Sequence, residues 1–206
     1  MISLSSKRFF KCFGRFCLLM TGLAVLFGSL VLTGLEIMAN DKKTDSLRSV
    51  PIEYVEEMEN GEKILRVYKV PESRIGPESK EYLIKKMRDR LWIDLSQTIK
   101  DKSEVCLLIA DKRMFDTVKL IKNEGNDDLI LKTFNETIFH LKESKKMLSE
   151  ENKDDIEILK IDQQINRAGL AYEDIVKSLN YKNEEIDKIV NDLEIWNQKN
   201  QDEEKK

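Results

Sequence analysis

One histidine, three cysteines, three prolines and eight glycines stand among 206 residues, and each scarcity removes a class of protein. His140 has no second histidine to form a His-x-x-x-His pair, and Cys106 has no soft ligand beside it, so no ligand set for zinc is present. A Ser-His-acid triad would need His140 as its base, and no serine lies in a strand-turn-helix nucleophile setting. His140, between Phe139 and Leu141, reads as a core-edge or solvated histidine. Glycine-rich phosphate loops are absent. After residue 40 only three prolines and four glycines remain, too few turn formers for a β-sandwich or barrel. Charge of one sign is lacking as well: 35 basic residues face 38 acidic ones. Binding nucleic acid requires a concentrated basic surface, so no nucleic-acid partner is expected.

The near-balance of charge conceals two unlike parts. Residues 1–40 hold Lys7, Arg8, Lys11 and Arg15 against Glu36, a net of +3, which leaves 31 basic and 37 acidic groups, a net of −6, for residues 41–206. Within the first part, the twenty residues from Phe16 to Leu35 carry no charge. As a helix at about 1.5 Å per residue they span roughly 30 Å, the thickness of a hydrocarbon core. The preceding basic cluster keeps the N-terminus cytoplasmic and sends residues 41–206 across the membrane. Two outcomes fit: an uncleaved anchor at residues 16–35, or a long signal peptide cut after Ala39, which would leave the rest secreted. Cys12 and Cys17 lie in or before this segment, so Cys106 is the lone thiol of the exported part and, among Val105 and Leu107–Ile109, is expected to be buried.

The remainder reads as all-α: antiparallel helical hairpins with a long C-terminal coiled-coil-like segment and a small β-hairpin at 52–70. Its divisions are a linker with that hairpin (41–76), a helical domain (77–150) and a long amphipathic helix or helical hairpin (151–206). Residues 41–50 are polar and aperiodic. Asn60-Gly61 favours a two-residue type I′ turn, which sets Met58 opposite Lys63, Glu56 opposite Leu65 and Tyr54 opposite Val67. Tyr54, Met58, Leu65 and Val67 would then share a face. The two Pro-Glu-Ser triplets, at Pro71 and Pro77, have the chemistry of helix starts.

Beyond Pro77 the spacing Ile84, Met87, Leu91, Leu95 predicts a first helix, its apolar stripe broadened by Tyr82, Leu83 and Trp92. It lapses near Ser96–Lys100, and Asp101 with Glu104 forms a capping box for a second helix whose face is Val105, Leu108, Ile109, Phe115, Val118 and Ile121. Gly125 suits the C′ position and Asn126 the next cap. A third helix through Ile130, Phe134, Ile138, Leu141 and Leu148 then closes an antiparallel hairpin. From about Asp154, Ile158, Ile161, Ile165, Ala168, Tyr172, Ile175, Leu179, Lys182, Ile186, Ile189, Leu193 and Trp196 step alternately by three and four. That is a helix seam within the chain or between chains. Asn180–Asn183 is its weak point, where the helix either continues or folds back; the tail after Gln198 is expected to fray.

Residues 77–148 resemble a bacterial family of membrane-linked helical domains of unknown function. Pro77, Ser79, Tyr82, Ile84 and Lys85 match its Pro-x-Ser-Pro-x-Tyr-x-Leu-Lys start, with Lys80 in place of the second proline. Ile109, Ala110, Arg113 and Met114 match its second-helix motif, with Asp111 and Asp116 standing in for the acids. The resemblance implies an exported helical hairpin domain and brings no activity, substrate or catalytic residue. Read on its own, Ala110 allows a neighbouring helix to approach closely. Arg113 and Asp116, three apart, are placed to pair, and Arg113 also reaches toward an acid of the first helix such as Asp89.

The functional expectation is therefore a non-enzymatic, exported, membrane-anchored interaction protein. It is bound to the membrane by residues 16–35 and to a partner or a second copy through residues 158–196, with no cofactor, metal or catalytic residue. The alternative is an extracytoplasmic ligand or metal sensor, or a periplasmic chaperone-like protein. A chaperone would need an exposed apolar patch of more than a few hundred Å², and a metal sensor would need converging acids.

Overall fold

The computed structural model describes residues 49–57, 63–149, 151 and 155–204. The apolar run 16–35, the cleavage position at Ala39, and Met58, Asn60 and Gly61 lie outside these residues. Among the described residues two strands, β1 (Ser49–Glu57) and β2 (Lys63–Pro71), precede five helices. These are α1 (Tyr82–Leu95), α2 (Ile99–Lys122), α3 (Asp127–Leu148), α4 (Ile156–Ser178) and α5 (Glu184–Glu204). The protein is thus mainly helical with one small antiparallel sheet, and Ser49 and Val50, read as linker, belong to β1. Among the described residues no helix is long and apolar enough to cross a membrane. The hairpin and the five helices fall in one compact unit, so the hairpin and the two helical stretches divided by sequence belong together.

The hairpin register differs by one residue from that expected of the Asn60-Gly61 turn. Tyr54 pairs with Arg66, Val55 with Leu65 and Glu57 with Lys63. A slip of one residue reverses the faces of β2. Tyr54 therefore shares its face with Ile52, Tyr68 and Val70, of which Ile52 and Val70 are buried, while Val55, Leu65 and Val67 point to solvent. The reason is tertiary. Tyr68 reaches inward to donate to Asp111 Oδ1 at 2.9 Å and packs edge-on against Tyr172, ring centroids 5.9 Å apart. The opposite register would turn Tyr68 outward and Leu65 and Val67 in.

Helix α2 is the central element, packed by α1, α3, α4 and β2 and buried on most of its circumference. Its N-cap is Thr98, not Asp101: Thr98 Oγ1 accepts from the Asp101 amide at 3.0 Å and donates to the Asp101 carboxylate at 2.7 Å. The cap thus lies three residues earlier than the sequence reading, with Asp101 holding the Thr98 hydroxyl. At the other end the left-handed residue is Glu124 (φ 52°), and Gly125 follows it, its amide donating to the Leu120 carbonyl at 2.9 Å. A Cβ on Gly125 would meet Leu120 Cδ2 and O at 3.1 Å, so the glycine is needed for space one position beyond the expected one. Asn126 caps α3 through the Leu129 amide. Where α2 and α3 cross, Ser103 and Ser144 each bond to the other's carbonyl at 2.9 and 2.8 Å, and both are fully buried.

The heptad seam breaks at Leu179–Asn183, with Asn180 left-handed (φ 50°), and α4 and α5 fold into a second helical hairpin. Ile158, Ile161, Ile165, Ala168, Tyr172, Ile175, Ile186 and Leu193 are buried in the chain's own core, with Leu179, Ile189 and Trp196 half-buried at its edge. Gly169 lets α5 approach: an added Cβ would overlap Asn197 Oδ1 and stand 2.9 Å from Trp196 Cζ3. Asn197, buried there, donates to Glu173 Oε2 at 2.8 Å. Helix α5 continues past Gln198 to Glu204, and buried Asn200 shows that its last turns pack.

Candidate functional site

The apolar stripe of α1 faces the wrong way for a core helix. Leu83, Ile84, Met87, Leu91 and Leu95 are exposed, from 42% to 68%, whereas Tyr82, Lys85, Asp89 and Trp92 are buried. Both sets step by three and four along the same helix, so periodicity alone does not choose between them. The partners on α2 decide. Arg113 and Asp116, each with a side chain only 1% exposed, project toward α1 and need counter-charges. Lys85 and Asp89 supply these; the leucines and methionine would not.

The resulting network joins several residues singled out from sequence. Arg113 Nη2 donates to Asp89 Oδ2 at 2.7 Å, its Nη1 lies 3.6 Å from Asp116 Oδ2, and its Nε lies 3.6 Å from Glu136 Oε2 on α3. Lys85 Nζ lies 3.1 Å from Asp116 Oδ2 and donates to Ser73 Oγ at 2.5 Å and to the Ile75 carbonyl at 3.0 Å. Ser73 of the first Pro-Glu-Ser triplet is thus a buried acceptor, and no helix starts there. The Tyr82 ring lies beneath the Arg113 guanidinium at 4.7 Å, and its hydroxyl donates to Glu136 at 3.3 Å. Lys86 Nζ reaches the same carboxylate at 2.5 Å. Lys85, Arg113, Asp89 and Asp116 sum to zero charge. Burial lowers the Lys85 ammonium to about 8 against the pull of Asp116, and burial raises the Asp116 carboxyl in spite of Lys85 and Arg113.

Tyr82, Lys85, Arg113 and Asp116 therefore meet in one cluster, to which Asp89, Glu136 and Ser73 are added. Ala110, on α2 but buried in the apolar core, and Pro77 with Ser79 lie outside it. Ser79 accepts from the Glu81 amide at 3.2 Å and its carbonyl from the Tyr82 amide at 3.1 Å, forming the turn that opens α1. Asp89 was named from sequence as an acid within reach of Arg113, but the burial of Lys85 and Asp89 was not foreseen. Opposite charges at matching heights of adjacent helices were the one available signal.

A cleft of about 590 Å³ opens beside the cluster between α1, α2 and α3, lined by Arg113, Glu136, His140, Cys106 and Phe139 among others. His140 is half-buried; burial lowers its basicity, Arg113 adds to the effect, and its Nδ1 has no hydrogen-bond partner. Cys106 is buried and its thiol pushed up to about 12 by burial. A second polar cluster lies under the hairpin, where Asp111 Oδ1 accepts from Tyr68 at 2.9 Å and Tyr172 at 2.6 Å. Burial raises this carboxyl to about 7, and the two tyrosine bonds pull it down only in part. Among the described residues no group of three or more His, Cys, Asp or Glu side chains is arranged to hold a metal ion.

No family model, curated protein or solved structure matches the chain. The geometry itself describes a clamp: paired charges fix α1 to α2 and α3 and turn its apolar row outward.

Proposed function

We propose that the chain is an exported, membrane-tethered helical protein that works by docking and not by turnover. Residues 16–35 hold it in the bilayer, and residues 41–206 lie on the outer face. The observation that supports this reading is the outward apolar row of α1. Ionic groups hold the helix inward in a geometry that keeps Leu83, Ile84, Met87, Leu91 and Leu95 at the surface. Core packing would have used that row; a binding surface explains why it is displayed. The seam at 158–196, expected as the partner surface, has most of its side chains in the chain's own core and leaves less to offer a second copy.

Fractionation of intact cells with added protease, followed by mass measurement of the N-terminus, tests the reading. Residues 41–206 are expected to be digested from outside and to stay with carbonate-washed membranes. Protection in unbroken cells would overturn export. The same exposed row is the surface that the chaperone-like alternative would use. Suppression of aggregation of a reduced test protein, lost in Met87→Asp, would favour that alternative over simple docking.

A further inference from the structure

A cleft of about 720 Å³ lies between the hairpin, α2 and α4, and no residue of α1 lines it. From its chemistry we infer that it is a binding site for a small carboxylate with an apolar body. The volume falls in the range of roughly 300–1,000 Å³ that small-molecule sites occupy. Gln164, Arg167, Leu170 and Asp174 line it from one face of α4. Tyr54 and Tyr68 line it from the hairpin, and α2 contributes Leu107 and Asp111. Tyr54, Leu107 and Leu170 offer apolar surface to the body of the ligand.

Asp111 gives the cleft a donor. Tyr68 and Tyr172 both donate to its Oδ1, at 2.9 and 2.6 Å, which uses the lone pairs of that oxygen. Oδ2 takes no bond from a described residue and is not closed off from solvent. A proton on this carboxyl therefore sits on Oδ2, and burial favours that neutral form, raising the group to about 7. A ligand carboxylate accepts the proton in a charge-assisted hydrogen bond. Cations complete the site. Arg66 and Asp174 have partners of their own, which leaves Arg167 on α4 and Lys69 at the rim as its unengaged charges. Both are positive, on a part of the chain, residues 41–206, that carries −6. Arginine, with a planar fork of donors, is the side chain best matched to a carboxylate. A cationic ligand would meet the same two groups as repulsion.

The site stands apart from the outward row of α1, so its test is independent of the docking reading. The full chain is placed in phosphatidylcholine nanodiscs, with empty nanodiscs as the blank. Benzoate, benzamide and benzylammonium are titrated in turn, and binding is read by saturation-transfer NMR. Benzoate is expected to bind roughly ten-fold more tightly than either of the others. Arg167→Gln should weaken benzoate by roughly five-fold or more, with unchanged circular dichroism. The titratable and charged groups that line the cleft with Asp111 or bond to it are Tyr54 on β1, Arg66 and Tyr68 on β2, and Arg167, Tyr172 and Asp174 on α4. Burial pushes Tyr68 and Tyr172 upward, away from neutral pH. From about pH 6 to pH 8 Asp111 passes from mainly protonated to mainly ionised, so benzoate affinity should fall about ten-fold. Asp111→Asn should remove that dependence, because its amide N–H takes the place of the Oδ2 proton at every pH. Equal binding of benzoate and benzamide, tighter binding of benzylammonium, or no signal above empty nanodiscs at about 10 mM would each overturn the site. Benzoate binding that ignores both Arg167→Gln and pH would put the ligand elsewhere on the chain and overturn it as well.

Discussion

Replacing Arg113 by methionine should be among the most damaging single changes available on α2. The guanidinium is 1% exposed, lies 2.7 Å from Asp89 and 3.6 Å from Asp116, and is stacked at 4.7 Å on Tyr82. Methionine fills much of the volume but leaves the buried group of Lys85, Asp89 and Asp116 with a net charge of −1. Removing one partner of a buried pair costs about 3–5 kcal/mol, mainly because the remaining charge is stranded. For a unit of this size each kcal/mol lowers the midpoint by about 2–4 °C, so a fall of roughly 6–20 °C is expected. Adding Asp89→Leu makes the buried group neutral again, and the double variant should regain at least half of the loss. Urea unfolding of the full chain in detergent, followed by circular dichroism, measures the four corners of the cycle. A loss below about 1 kcal/mol in Arg113→Met, or a double variant no better than the sum of the single ones, would refute the argument that the clamp is dry and charge-matched.

Four further outcomes follow from the same geometry. Leu91→Asp should change stability by less than about 1 kcal/mol because Leu91 is exposed, whereas Trp92→Ala, one residue on, should cost about 3–5 kcal/mol; the reverse order in thermal melts would put the stripe back in the core. Asp111 keeps its proton in the folded chain up to about pH 7, while the unfolded carboxyl releases it near 3.8. Its contribution is therefore complete at low pH and is lost as pH rises from about 4 toward 7, and Asp111→Asn should flatten that part of the stability–pH curve. Gly169→Ala should destabilise by about 1–3 kcal/mol through collision with Asn197 and Trp196, read by chemical denaturation. Thr98→Ala should cost about 1 kcal/mol by freeing the Asp101 amide, with Thr98→Ser restoring most of it in the same assay.

The parts of the fold that were legible in the sequence are those set by local chemistry or by one unopposed pattern. Asn126 is a good cap wherever it occurs, and the 158–196 periodicity had no competitor except at Asn180–Asn183, where either outcome was open. The errors arose where two patterns overlapped. On α1 the apolar row at 84, 87, 91 and 95 competes with Tyr82, Lys85, Asp89 and Trp92, and only the charges of α2 choose between them. On the hairpin, the preference of Asn60-Gly61 for a two-residue turn is weaker than the burial of Ile52 and Val70 and the Tyr68–Asp111 bond, so the register follows the core. The site was half legible. Arg113 and Asp116 stood out as a pair and Asp89 as a reachable acid, but Glu136 and Ser73 come from distant parts of the chain and gave no local sign.

The shortage of glycine in residues 41–206 has a mechanical consequence at the joints between helices. The left-handed positions after α2 and α4 are filled by Glu124 and Asn180, side chains that tolerate that conformation at a cost of roughly 1–2 kcal/mol for glutamate and less for asparagine. A glycine there would swivel; these residues do not. Both helical hairpins therefore behave as stiff brackets, and a load applied at one end of a helix pair is carried to the other as a change of position, not absorbed as a bend at the turn.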